Sequence, residues 1–434
     1  MFETAYTFVP ILMVVIFVLG YTAIATEHSI HVNKTASALL TGVILWFVFI
    51  IFSDDIGFVN TELRHHLGEI AEILFFLMGA MTIVETIDSH NGFHVITSRI
   101  TQTDQRKLLW IISFITFFLS AVLDNLTTTI VMVSLLGKLI KDREQRLFFA
   151  GMVVIAANSG GAWSPMGDVT TTMLWIGNQI TAGHIIVETF VPSLISIVVP
   201  LIVLSLILKG KVERPEVKVS ESAAILSYSQ QKTMLILGVG GLVFVPIFKT
   251  FTHLPPYIGM MLSLGVIWLF TELKHKKLEP QHKRALSIPH SLGRIDMPSI
   301  LFFLGILLAV HSLQSVGVLG KAADWLMTTV GNMNVVVILI GLLSAIVDNV
   351  PIVAAVQGMF DLSVFPTNSH FWTFLAYAAG TGGSALIIGS AAGVAAMGIE
   401  KIDFFWYVKR ITWIALLGYF AGAGVFILQT MIFG

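Results

Sequence analysis

The chain contains no cysteine. Disulfides, thiolate metal sites, iron–sulfur clusters and cysteine nucleophiles are thereby excluded, and the redox compartment is left open. Charge is scarce as well. Asp, Glu, Lys and Arg make up 12% of the 434 residues, against roughly 25% in an average soluble domain. The formal net charge is −1, so nothing points to nucleic acid or another strongly anionic partner. The N-terminal MFETAYTFVP has no basic residue ahead of its apolar run. It lacks the n-region of a signal peptide and is expected to stay as a first span. HExxH, Walker A and a convincing GxGxxG after a strand are all missing, as is any legible nucleophile–base pair or cofactor motif. An enzyme is therefore the least expected class, and no resident cofactor is expected.

What the chain has instead is apolar surface: 56% of its residues are hydrophobic. A soluble fold of this length cannot hide that much, so the expectation is an all-α polytopic protein with the lipid bilayer as its main partner. A membrane helix needs about 20 apolar residues. Such spans lie at 6–25, 35–53, 69–88, 147–176, 187–208, 232–250, 257–273, 299–319, 371–399 and 406–430. Two more apolar stretches, 108–137 and 335–360, carry Asp-Asn at their middles (Asp124-Asn125 and Asp348-Asn349). The longest polar connectors, 209–231 and 274–298, are too polar to form a second domain and read as cytoplasmic loops.

Charge sets the orientation. With both termini outside, and with 108–137 and 335–360 entering and leaving on one face, only Arg64, Lys249 and Lys321 fall outside. Every other Lys and Arg is inside. The two stretches thus read as re-entrant hairpins with Asp-Asn at their tips, near mid-membrane. His65 and His66 fall in an outer loop and read as ordinary solvated histidines.

Three segments of the first half recur in the second. ILFFLMGAMTIVETI (73–87) matches ILFFLGILLAVHSLQ (300–314), LSAVLDNLTTTIVMV (119–133) matches LSAIVDNVPIVAAVQ (343–357), and NSGGAWSPMGDVTTTMLWIG (158–177) matches GTGGSALIIGSAAGVAAMGI (380–399). Each half then holds five transmembrane helices, one re-entrant hairpin and one interrupted helix. An odd number of crossings makes the repeats inverted, as in secondary transporters with their site where the repeats meet. The first repeat is read as 1–208, with its hairpin at 108–137 and its broken helix at 147–176. Residues 209–231 are the linker. The second repeat is 232–434, with loop 274–298, hairpin 335–360 and broken helix 371–399.

The polar residues inside these spans carry the chemistry. A carboxylate in hydrocarbon costs several kcal/mol unless it is paired, hydrated or protonated. Asp124 and Asp348 meet that condition only at a functional tip, although each can also cap the half-helix that follows it. Asn125, Asn349 and Thr127 supply oxygens beside them. The run from Asn158 and Ser159 through Gly160, Gly161, Pro165 and Gly167 to Asp168 cannot be continuous helix. Its break frees carbonyls for a cation, and Asp168, Thr170 and Thr171 open the next half-helix. Thr381 and Ser384 stand at the equivalent break. Asp168 aligns with Ser390 and Asn158 with Gly380, so the first half holds two intramembrane acids at its site and the second holds one. Oxygen ligands with carboxylates suit hard ions such as Na+ or Li+, with Asp124, Asn125, Asn158 and Asp168 as the expected ligands. Glu85 and its repeat-equivalent region at His311 are candidates for a proton relay.

At AVLDNLTTTIVMVSLL (121–136), ANSGGAWSPMGDVTTTMLWIGNQI (157–180) and LSAIVDNVPIVAAVQGM (343–359) the sequence resembles the NhaD family of sodium/proton antiporters, part of an ion transporter superfamily that also holds dicarboxylate, citrate and arsenite carriers. The resemblance implies a site between hairpin tips and broken helices, with roles for Asp124, Asn125, Thr127, Asn158, Asp168, Thr170, Thr171, Ser344, Asn349 and Ser384. It also implies a homodimer whose transport domain moves past a scaffold. Superfamily carriers of dicarboxylates have Ser-Asn-Thr at the tips, whereas this chain has an acid at each. The expectation is therefore a secondary transporter of the bacterial inner membrane, exchanging small inorganic cations (Na+ or Li+) for protons by alternating access. Its rivals are another substrate on the same scaffold, such as a dicarboxylate or arsenite, and a cation channel.

Overall fold

The computed structural model describes residues 2–215, 226–276 and 279–433. Residues 216–225 of the expected linker and 277–278 of the expected loop 274–298 lie outside the described residues. The described residues are helical throughout, with one isolated bridge between Asp104 and Lys211 and no strand. Nine of their helices are long and apolar enough to cross a membrane, so the chain is an all-α polytopic membrane protein.

The helices fall into two packing groups. Phe2–Ala25, Lys34–Phe52 and Ile56–Ser89 pack with Tyr228–Thr252, Pro256–Lys274 and Met297–Ser315. The hairpins, broken helices and closing helices (Ala182–Ile207 and Trp413–Phe433) form the other group. Small residues allow the closest approaches. Gly42 lies against the Gly305 backbone, where Lys34–Phe52 meets Met297–Ser315.

One helix ends and another begins at each of the four places where a tip or a break is expected, and Gln105–Leu123 is itself long and apolar enough to cross a membrane. Gln105–Leu123 turns at Asp124 into Asn125–Leu139. Met333–Leu343 gives way over 344–348 to Asn349–Met359. Arg143–Gly161 breaks and resumes as Val169–Ile176, and His370–Gly382 breaks and resumes as Ala391–Glu400. The packing is crossed. The first arm of each hairpin lies on the broken helix of its own half. The second arm lies on the resumed segment of the other half: Asn125–Leu139 on Ala391–Glu400, and Asn349–Met359 on Val169–Ile176.

Matching contacts recur at matching positions. A Cβ on Gly160 would run into the Phe117 carbonyl, and one on Gly382 into the Gly341 carbonyl. Gly167 abuts Ala121 as Gly389 abuts Ala345. Ser120 Oγ donates to the Ala157 carbonyl at 2.6 Å, and Ser344 Oγ to the Ala379 carbonyl at 3.1 Å.

Two features differ from the sequence reading. The span at 69–88 is the end of a 34-residue helix, Ile56–Ser89. At 1.5 Å per residue it is roughly 50 Å long, well beyond a hydrocarbon core of about 30 Å. His65 and His66 therefore sit in a helix, not a loop, and His66 is buried. Polar residues such as Asn60, Glu62, Arg64 and Glu69 hide these turns from a hydropathy reading. The second difference is the helix Val318–Val330, which precedes the second hairpin and meets Met333–Leu343 at 119°. It buries Leu319 and Ala323 and exposes Trp325, and together with Met333–Leu343 it is apolar enough for a bent span. Gly317 and Gly331 bound it at φ +75 and +66, backbone that glycine adopts without steric cost.

Candidate functional site

Three helix N-termini meet at one buried carboxylate, and a fourth, at Ser390, is linked to it through Asn158 and Asn125. Asp168 caps Val169–Ile176, and Asn125, Asn349 and Ser390 stand at the starts of the three other half-helices. The partial positive charge of such termini favours an acid at their focus. Asp168 is 1% exposed. Its Oδ2 accepts from Asn125 Nδ2 at 2.7 Å and from Asn349 Nδ2 at 3.1 Å. Its Oδ1 accepts from the Thr170 amide at 2.9 Å, from Thr170 Oγ1 at 3.0 Å and from Asn349 Nδ2 at 3.3 Å. Among the described residues no Lys, Arg or His nitrogen lies within salt-bridge distance of it. The partners come from both hairpin tips, so both halves build the site.

A second tier orients the first. Asn125 Nδ2 also donates to Asn158 Oδ1 at 3.0 Å. Asn158 Nδ2 donates to Ser384 Oγ at 3.0 Å and Ser390 Oγ at 2.8 Å. These two bonds tie the Asn158 amide to the break of the second half. Ser390 is a site residue that the sequence reading did not select. Its alignment with Asp168 was the available signal. The remaining hydroxyls serve the backbone or each other. Thr171 Oγ1 donates to the Asp168 carbonyl, Thr381 Oγ1 to the Tyr377 carbonyl and Ser344 Oγ to the Gly341 carbonyl, while Ser159 Oγ accepts from Ser196.

The tip aspartates face elsewhere. Both oxygens of Asp124 are taken by Thr127, Oδ1 by its amide and Oδ2 by its hydroxyl, each at 2.8 Å. Asp124 lines a small apolar cavity with Phe76, Leu77, Met166 and Met260. Its backbone, at φ 77 and ψ 159, lies in a region that is essentially glycine's and costs about 1–3 kcal/mol. The strain makes the abrupt turn that brings Asn125 to Asp168. Asp348 accepts from the Val350 amide at 3.3 Å and lies 3.7 Å from Lys34 Nζ. That ammonium also stands 4.7 Å above the Phe302 ring. Lys34, which the sequence reading left among the loop charges, is thus the counter-ion of the second tip acid.

Glu85 and His311 are not brought together. Glu85 pairs with Arg294 at 2.9 Å. His311 stacks on His66 and lines a vestibule of about 510 Å³ with Glu69, Glu72, Lys249 and Gln357. The vestibule reaches Met173, inside the resumed half-helix that Asp168 caps. On the other side of the tips, Tyr21, Glu27, Lys34 and Asp348 line a pocket of about 100 Å³.

The chain is similar to known transporters along almost all of its length. The citrate transporter family matches residues 13–368. Sodium/proton antiporter 2 of Arabidopsis thaliana is 48% identical over 415 residues, which is 94% of this chain and 97% of that protein. Sodium/proton antiporter 1 of the same plant is 48% identical over 418 residues, 96% of this chain and 72% of that protein. The Na(+)/H(+) antiporter NhaD of Vibrio cholerae serotype O1 is 31% identical over 439 residues, 93% of this chain and 88% of that protein.

Proposed function

Because this chain belongs to the NhaD-type sodium/proton antiporters, within the citrate transporter family, we propose that it exchanges Na+ or Li+ for H+ by alternating access, with cation and proton competing for Asp168. The observation that carries this reading is a buried carboxylate ringed by amides and hydroxyls with no basic side chain at hand. One carboxylate holds a proton or a sodium ion, and exchange follows from that competition. Here Asn125 and Asn349 turn their NH2 groups to Asp168. A half-turn of either amide offers its carbonyl to a cation held by the same acid.

The repeats are inverted in this proposal, the basic loops lie inside and both termini outside, in the bacterial inner membrane of the sequence expectation. The six-helix group is the scaffold, and a homodimer is formed through it. The crossed hairpins and broken helices carry the site.

The match to citrate transporters supplies a second reading, a carboxylate substrate. Helix N-termini would serve an anion, but Asp168 already occupies the place where three of them meet, and Lys34 is engaged by Asp348. Proteoliposomes with an imposed pH gradient separate the readings. With voltage clamped by a K+ ionophore, Na+ or Li+ should collapse the gradient and citrate should not. Collapse by citrate alone would hand the site to the second reading, and Na+ flux without proton movement would make the protein a channel.

A further inference from the structure

The stacked imidazoles of His66 and His311 play no part in the site above. Their centroids are 4.2 Å apart and their planes 22° from parallel. His66 stands on Ile56–Ser89 and His311 on Met297–Ser315, so the pair bridges the two halves. His66 Nδ1 lies 3.0 Å from Glu69 Oε2, one helical turn on. One ligand atom each from His66, Glu69 and His311 falls within 4.8 Å of the other two. Glu69 and His311 line the 510 Å³ vestibule, so water and ions reach the cluster.

We propose that His66, Glu69 and His311 form a binding site for a divalent transition metal, with Zn2+ the best match, in the vestibule wall. Two imidazoles and one carboxylate with a coordination position open to water are a zinc donor set. Ligand atoms at about 2.0–2.1 Å around a tetrahedral ion lie roughly 3.3 Å apart. His66 and Glu69 already stand at that spacing. His311 lies within 4.8 Å and must turn its ring out of the stack to aim a nitrogen at the ion, closing at most about 1.5 Å.

The outer contacts suit the role. Ser315 Oγ lies 3.2 Å from His66 Nε2 and donates to Glu62 at 3.2 Å. Gln314 Oε1 lies 3.1 Å from His311 Nδ1. Each histidine is thus held by an acceptor on one nitrogen and left to coordinate through the other, the usual second shell of a metal-bound imidazole. An ion here would join Ile56–Ser89 to Met297–Ser315 within the six-helix group, in the wall of the vestibule.

The test is calorimetric titration of ZnCl2 into the metal-free, full-length protein in lipid nanodiscs at fixed Na+. One Zn2+ per chain is expected, with a Kd on the order of micromolar, unmoved by millimolar Mg2+. His66→Ala and Glu69→Gln should weaken binding by about tenfold or more. His253→Ala in the same vestibule, and His94→Ala elsewhere, should stay within about twofold. Zinc K-edge absorption of the wild type should report two imidazole ligands, a readout that does not depend on any variant folding. Equal affinity in His66→Ala, no saturable binding, or a spectrum with one or no imidazole overturns the proposal and leaves the pair as packing.

Discussion

Asp168→Asn changes one atom and exposes the logic of the site. If the new NH2 takes the place of Oδ2, it faces Asn125 Nδ2 at 2.7 Å and Asn349 Nδ2 at 3.1 Å, two donors that it cannot satisfy. If it takes the place of Oδ1, it faces the Thr170 amide at 2.9 Å. Turning Asn125 to present its carbonyl sets that oxygen against Asn158 Oδ1, so Asn158 would have to turn as well and accept from the Ser384 and Ser390 hydroxyls. With the surrounding amides held as they stand, either placement leaves at least one buried donor unsatisfied, at about 1–3 kcal/mol. That is less than the net stability of about 5–15 kcal/mol of an ordinary fold, so the variant should still insert and purify as a monodisperse species. The site itself loses its only carboxylate. A loss of at least about 100-fold in apparent Na+ affinity is expected, or about 2.8 kcal/mol. The assay is Na+-dependent collapse of a pH gradient in proteoliposomes, with the folded fraction checked by size exclusion. A variant within about twofold of wild type in rate and half-saturation would remove Asp168 from the cation site.

Lys34→Gln should free Asp348 to act as a second acid and raise the Hill coefficient for Na+ above the wild-type value; an unchanged coefficient and rate would show that the ion pair is only structural. Gly382→Ala pushes a methyl into the Gly341 carbonyl and should lower the thermal midpoint by an amount worth about 1–3 kcal/mol, whereas Gly398→Ala, with nothing within 4 Å, should be neutral or stabilising. His90 caps the end of Ile56–Ser89, lies 5.1 Å from His275 in a stacked pair, and is held at a pKa of about 4 by burial. Below the unfolded value near 6.5, the unfolded chain takes up a proton that native His90 refuses. Stability should therefore fall as pH drops from about 6.5 towards 4, by up to about 1.4 kcal/mol per unit. His90→Gln should flatten thermal midpoints across that range, and an unaltered slope would refute the assignment.

Much of this architecture is legible in the sequence because the bilayer tolerates so few exceptions. Asp, Asn and Pro inside apolar runs mark the hairpin tips and breaks, and the repeated segments mark the correspondence between halves. Direction is what the sequence hides. Adjacent residues at a tip diverge, so Asn125 reaches Asp168 while Asp124 folds back on Thr127. No spacing rule distinguishes them, because the outcome hangs on one left-handed residue. Ser390 and Lys34 were equally hard to select: the role of each depends on a partner more than 200 positions away. The polar turns of Ile56–Ser89 and the helix Val318–Val330 escaped because hydropathy detects lipid contact, not helix.

The crossed packing of the hairpins also bears on how the chain is made. When Asn125–Leu139 leaves the ribosome, the surface it rests on, Ala391–Glu400, does not yet exist. Asn125 finds Asn158 and Asp168 within the first half, but Asp168 waits for Asn349 until the second half has been made. Long-range closure of this kind is slow, and polar groups without partners are costly in lipid. The last broken helix therefore acts as the clasp of the whole assembly. A chain that stops before Ala391 leaves the face of Asn125–Leu139 that packs on Ala391–Glu400 uncovered.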